Sequence, residues 1–386
     1  MATKSAPAEP SSPLPEVAIA SDTTTTAEIV ETITAGPAVE GTAGGAQGEQ
    51  TPPPLNLAEL NAPDGNAPIE INTDDDDTFD SDSALGSDAG SDTTSLTSSA
   101  LHYKYENGRT YHAFREGQYI MPNDDKEQDR LDLVHHVWRL ILRGELHRAP
   151  IPETVQRVLD IGTGTGIWAM EFADQFRNAT VIANDLSPIQ PTWVPPNLQF
   201  ETDDAEDEWL YTQPFDYIHI RNMGASIADW PKLVSRSLEN LRPGAWIEVQ
   251  EHAIEMHSED GEVPQNTRDW LSEMEGAART FGKDMNVAKL IGDYLRDAGF
   301  EDVHVDKYKI PLGAWPRDKR MKEIGRFQQA ACVDSVEAYS LALFTRVLGW
   351  ELVPLQVFLA AVRGELGNSH NHLFCYTYVV YGRKPL

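Results

Sequence analysis

Arginine, histidine, tyrosine and tryptophan are all missing from the first hundred residues of this 386-residue chain. That stretch holds one phenylalanine, Phe79, and one lysine, Lys4. So few large apolar side chains cannot bury enough surface to offset the entropy of ordering the backbone. Eighteen Asp and Glu residues against Lys4 put about −17 of the formal net charge of −30 there, and like charges in such a block repel. Pro, Ser, Thr and Gly thread the segment, as in "TPPPLNLAELNAPDGNAPIE" and "DDDDTFDSDSALGSDAGSDTTSLTSS". Residues 1–100 are expected to be a disordered acidic tail, and residues 101–386 one large folded domain.

Other scarcities narrow the class further. Two cysteines, Cys332 and Cys375, give no disulfide framework and suit a reducing compartment. No apolar run is long enough to span a bilayer, and the N-terminus lacks the basic-then-apolar pattern of a signal peptide. A soluble protein of the cytoplasm or nucleus is expected, without membrane attachment. The folded part still carries about −13 and has no Lys/Arg-rich run, which argues against direct nucleic-acid binding. No metal site is expected.

What is present from residue 101 onward is an alternation of periodicities. Leu131, Val134, Val137, Trp138 and Ile141 recur at helical spacing up to Gly144. "RVLDI", "ATVIAND", "FDYIHIRNM" and "AWIEVQEH" read as strands, separated by the helices "GIWAMEFADQF" and "DWPKLVSRSLENL". A helix "VAKLIGDYLRDAG", a strand "VHVDKYKIPL", a helical stretch at 317–368 and a closing strand "FCYTYVVYGRKP" follow. Strands alternating with helices imply an open, mostly parallel α/β sheet with helices on both faces.

The segment "VLDIGTGTGIW" places Gly162, Gly164 and Gly166 after the strand that ends near Asp160. A dinucleotide turn needs a third glycine where Ile167 stands, and a phosphate loop needs a Gly-Lys-Ser/Thr that is absent. The pattern D-x-G-x-G-x-G, with Thr163 inside it, suits S-adenosylmethionine, which carries no phosphate. Asp160 would help position that ligand's amino group. Asp185, with Leu186 beside it, closes the next strand where a ribose-binding carboxylate is needed; such bonds contribute roughly 1.5–3 kcal/mol each. In "ETDDAEDEW", Asp204 can accept from the adenine amine and Ala205 can offer its backbone N–H. Taken alone, Asp160 could be a local capping carboxylate and the acidic run a solvated loop.

At this point the residues resemble a known group. "YHAFREGQYIMPNDDKEQDRLDLVHHVW", "VIANDLSPIQPTWVPPNLQFETDDAEDEW", "FDYIHIRNMGASIADW" and "LRPGAWIEVQEH" are similar to segments of the seven-strand class I methyltransferases, and more narrowly of the fungal LaeA-like methyltransferases. The resemblance runs from about Arg109 to Lys384. It implies a Rossmann-like fold that binds S-adenosylmethionine and whose last of seven strands runs antiparallel. Against the class pattern, the helices of 317–368 form an insertion before the last strand. They are a lid or substrate wall, or else a packing or dimer surface.

Methyl transfer from a sulfonium is an in-line displacement with a good leaving group, and orientation alone can supply roughly 7–11 kcal/mol. A general base matters only when the nucleophile must lose a proton. Candidates at the ends of strands four and five are His219, Arg221, Glu251 and His252. His219 and Arg221 share a strand face; His219 could equally be an inert buried histidine, and Arg221 suits a carboxylate of cofactor or substrate. Tyr111, Tyr119 and Arg130 could cover the cofactor or substrate, or be packing residues and a surface charge. Two functions are expected to compete: methylation of an O or N atom of a small secondary metabolite, or a LaeA-like regulator of secondary metabolism acting through protein partners of the acidic tail.

Overall fold

In the computed structural model, the alternation of apolar strands and amphipathic helices becomes a doubly covered α/β sheet with a helical cap. Residues 65–72, 104–112 and 120–386 are described, all within the unit Leu57–Leu386. A hairpin of β1 (Lys104–Glu106) and β2 (Arg109–Tyr111) precedes α1 (Asp125–Ile141). Then follow β3 (Arg157–Ile161), α2 (Ile167–Gln175), β4 (Thr180–Asp185), β5 (Leu198–Thr202), β6 (Phe215–Arg221), α3 (Trp230–Asn240) and β7 (Leu241–His252). The second half adds β8 (His257–Ser258), α4 (Gln265–Thr280), α5 (Ile291–Ala298), β9 (Glu301–Pro311), α6 (Lys319–Ala342), α7 (Leu352–Leu366) and β10 (Leu373–Arg383). Of these, α4 and the first hairpin go beyond what the sequence pattern predicts.

The strands lie in the order β5-β4-β3-β6-β7-β10-β9, with the two-residue β8 beside the start of β10. From β5 to β7 all neighbours are parallel, whereas β10 runs antiparallel to both β7 and β9. Alternate residues divide between two cores, as the two-residue period of a strand requires. Val158, Val181 and Tyr217 pack with Trp168 and Phe172 of α2. Leu159, Ile182 and Ile218 pack with Leu233 of α3 and Ile291 of α5. Strand order reverses between β3 and β6, the place where open α/β sheets hold their ligands.

A third core fills the cap, where α6, a π-helical turn (Leu343–Val347) and α7 close over α1 and α4 through Trp138, Trp270, Met274, Phe344 and Leu359. The insertion read at 317–368 is thus two helices. Entry into α1 is fixed by Asp124, whose side chain accepts from Glu127 N while Arg109 grips both its oxygens at 2.6 and 2.7 Å.

Within the stretch expected to lie outside the fold, residues 65–72 lie against the domain. Glu70 O accepts from Arg317 N at 2.7 Å, Asn72 N donates to Trp315 O at 2.9 Å, and Ile69 N donates to Glu259 Oε1 at 3.2 Å. Ile71 forms a β-bridge with Pro316. The alternating apolar pair Ile69 and Ile71 is half-buried along this contact. Among the described residues, no helix is long and apolar enough to cross a membrane, and no cluster of metal-ligating side chains occurs.

Candidate functional site

The turn after β3 is built by three left-handed glycines, Gly162, Gly164 and Gly166, with φ of 69°, 60° and 81°. A Cβ on Gly162 would collide with the Met223 sulfur, and one on Gly166 with the Phe200 ring. Those two glycines therefore admit close protein neighbours. At Gly164 the nearest atom is Leu131 Cδ1 at 3.5 Å, so conformation alone requires glycine there. Gly164 N donates to Asp185 Oδ2 at 2.8 Å and its carbonyl accepts from Gln190 Nε2 at 2.7 Å.

Below the turn, Asp160 is 2% exposed and both its oxygens are engaged. Thr163 Oγ1 donates to Oδ2 at 2.6 Å, and His219 Nδ1 lies 2.7 Å from Oδ1. His219 is fully buried, stacked on the Trp168 indole with centroids 3.6 Å apart and 4° between planes. Burial lowers its pKa, so it stays neutral and carries the proton between itself and Asp160. It lines neither cavity described below. The geometry makes His219 a positioning residue for Asp160, and so for the turn.

Arg221 follows on the same strand face and donates from Nη2 to His135 Nδ1 at 3.0 Å. Burial lowers its pKa to about 10 and drives that of His135 down to about 2. A neutral imidazole does not balance a guanidinium, and Arg221 makes no ion pair among the described residues.

A cavity opens beside the turn, lined by Gly162, Asp185, Leu186, Asp204, Ala205 and Met223 among others. It therefore brings together five of the residues read from the sequence. Asp185 accepts from Ser187 N at 2.9 Å as well as from Gly164 N, and burial raises its pKa to about 6. Asp204 Oδ1 accepts from Glu206 N, and the Ala205 carbonyl accepts from Trp209 and Arg236. Sequence reasoning missed the clasp across this cavity. Glu206 accepts from Ala228 N and Asp229 N and pairs at 3.1 Å with Lys283, which also donates to Ser226 O at 2.7 Å. Lys283 comes from beyond α4, and nothing in its local sequence points to this place.

A second cavity lies under the cap, lined by Arg130, His252, Trp270, Met274, Tyr339 and Cys375 among others. Arg130 is no surface charge: it is 7% exposed and held by Glu127 at 2.6 Å. Tyr111 instead packs into the cap core beneath the Arg346 guanidinium, 4.7 Å from its ring, and lines neither cavity. Tyr119 lies outside the described residues. Glu251, beside His252 in sequence, accepts from Gly224 N at 2.9 Å and from His252 N at 3.2 Å, and burial raises its pKa to about 8.

A methyltransferase-domain family model matches residues 126–305. Methyltransferase pytC of Aspergillus terreus is 42% identical over 302 residues, 77% of this chain and 93% of the relative. Secondary metabolism regulator LAE1 of Cochliobolus heterostrophus is 36% identical over 289 residues, 72% of this chain and 94% of the relative. Protein-methionine methyltransferase laeA of Emericella nidulans is 36% identical over 306 residues, covering 78% and 82%. The chain belongs to the methyltransferase family that includes pytC and the LaeA-type proteins, with the class I methyltransferase fold.

Proposed function

We propose that the cavity beside the glycine turn binds S-adenosylmethionine and that the protein transfers its methyl group to an oxygen or nitrogen of a small metabolite. The observation that carries this reading is Asp185, a carboxylate that lines the cavity while its Oδ2 holds the glycine turn through Gly164 N. Its remaining lone pairs suit two ribose hydroxyls. Asp204 and the Ala205 N–H suit the two hydrogen-bonding edges of adenine, with Leu186 against its ring. Asp160, Gly162, Thr163, Gly164 and Gly166 set the turn beside the methionine part, and Arg221, which makes no direct ion pair among the described residues, suits that part's carboxylate. When bound, the sulfonium supplies an electrophilic methyl group. The chain's own contribution is to hold, orient and shield it, with His219 fixing Asp160 from below.

We also take residues 101–386 as the catalytic domain, and residues 1–100 as a tail for protein partners in cytoplasm or nucleus. A second reading, a regulator that methylates protein, draws on one relative's description as a protein-methionine methyltransferase and on the Met223 thioether lying against Gly162. One experiment separates the two. The full chain is incubated with methyl-tritiated S-adenosylmethionine and a fungal metabolite extract. Label in the organic-soluble fraction supports the metabolite enzyme; label confined to protein overturns it in favour of the regulator.

A further inference from the structure

We infer that the cavity under the helical cap is the acceptor site, and that it takes an apolar organic acid whose reacting oxygen is already ionised, held by His252 Nε2–H. This rests on the donor reading above. Met223, in the loop after β6, lines the donor cavity, and Gly224 of the same loop donates to Glu251, the residue before His252 of the second cavity. Val134, Met256, Trp270, Met274 and Tyr339 give the cavity an apolar body.

Its polar end is the His252 imidazole, and the tautomer of that ring decides the chemistry. Nδ1 lies 2.7 Å from the hydroxyl of Thr377, a residue with no exposure. If the hydroxyl donates to Nδ1, both groups are satisfied; the reverse leaves a buried O–H without an acceptor among the described residues. The ring proton then sits on Nε2, which has no protein partner among the described residues. Nε2 is therefore a donor and has no lone pair with which to take a proton. Burial, with Arg221 and Arg130 nearby, also lowers the ring's pKa to about 3, so it remains neutral.

The charges around it agree in sign. Arg130 faces the cavity with Glu127 behind it, and the cavity's own carboxylate, Glu255, is held by Lys289 at 2.5 Å. A neutral phenol or ammonium acceptor would need a base that this end lacks. A carboxylate or an acidic enolate needs none. One oxygen, or the delocalised charge, accepts from Nε2–H, and the acceptor oxygen uses a lone pair to form the O–CH3 bond as the S–CH3 bond breaks. The sulfonium leaves as a neutral thioether, and no proton moves.

The test is calorimetric, on the full chain saturated with S-adenosylhomocysteine, with 2-naphthoate and its neutral analogue 2-naphthamide as probes. Naphthoate is expected to bind roughly tenfold or more tighter, the ratio one charge-assisted hydrogen bond gives. His252→Phe should erase that preference without changing the affinity for S-adenosylhomocysteine. Thr377→Val, which frees the tautomer and nearly preserves shape, should reduce it. Equal binding of the two probes, a preference that survives in both variants, or no binding of either probe to protein that holds S-adenosylhomocysteine overturns the inference. Failure of wild-type protein to bind S-adenosylhomocysteine overturns the donor reading instead.

Discussion

Replacing His219 by Phe isolates one hydrogen bond at the base of the donor site. The aromatic ring and its stacking on Trp168 are kept, while the 2.7 Å link to Asp160 is lost. Asp160 then retains only the Thr163 hydroxyl in a place that water does not reach. Removing one partner of a buried charged group costs about 1.5–3 kcal/mol. For a domain of this size, at about 2–4 °C per kcal/mol, Tm should fall by about 3–12 °C. Thermal unfolding followed by near-ultraviolet circular dichroism reads the loss, and titration with S-adenosylmethionine should show weakened affinity in the same variant. The deficit also has a pH signature. His219 stays neutral when folded, because burial lowers its pKa, but protonates in the unfolded chain below 6.5. The His219 contribution to wild-type stability therefore falls with acid and is missing from the variant, so the gap narrows below that pH. A variant with unchanged Tm and unchanged cofactor affinity would refute the positioning role.

Three further outcomes follow from the same geometry. Asp185, with a pKa of about 6, must be ionised to accept from a ribose. Affinity for S-adenosylmethionine should therefore be flat above pH 7 and fall by up to about tenfold per unit below pH 6, and Asp185→Asn should flatten that slope in calorimetry. Glu251 has a folded pKa of about 8 against an ordinary 4.5, so the folded state holds an extra proton between those values. That group's contribution lowers stability as pH rises across the window, and Glu251→Gln should remove the slope in denaturant titrations at pH 6 and 8.5. Gly65→Val should push residues 65–72 off the domain, since a Cβ there would meet the Lys307 carbonyl oxygen at 2.6 Å. Limited proteolysis should then cut faster between residues 57 and 104, with a change in global stability under about 1 kcal/mol.

The turn from β3 into α2 and the strand leading to Asp185 were legible because both signals are local: an apolar run, then glycines, then a second apolar run ending in a carboxylate. The antiparallel direction of β10 was not local, and came only through the family resemblance. For α4, Trp270, Met274, Ala277 and Ala278 recur at helical spacing. Its N-cap is Pro264 with no side-chain bond, so the start signal that marks α1 and α6 is missing. The strands β1 and β2 are three residues each, too short to show alternation. Residues 65–72 find their partners at positions 259 and 315–317, far along the chain. His219 shows why candidate roles need geometry. Its strand position suggested a base, whereas its burial under the turn, against Trp168 and Asp160, makes it a support.

The most direct test of the donor site is a calorimetric titration of the full chain with S-adenosylmethionine, repeated with Asp185→Ala. Wild type should bind one equivalent, and the variant should show no measurable binding while its Tm confirms that it is folded. A folded Asp185→Ala protein with wild-type affinity would contradict the assignment of this cavity to the methyl donor.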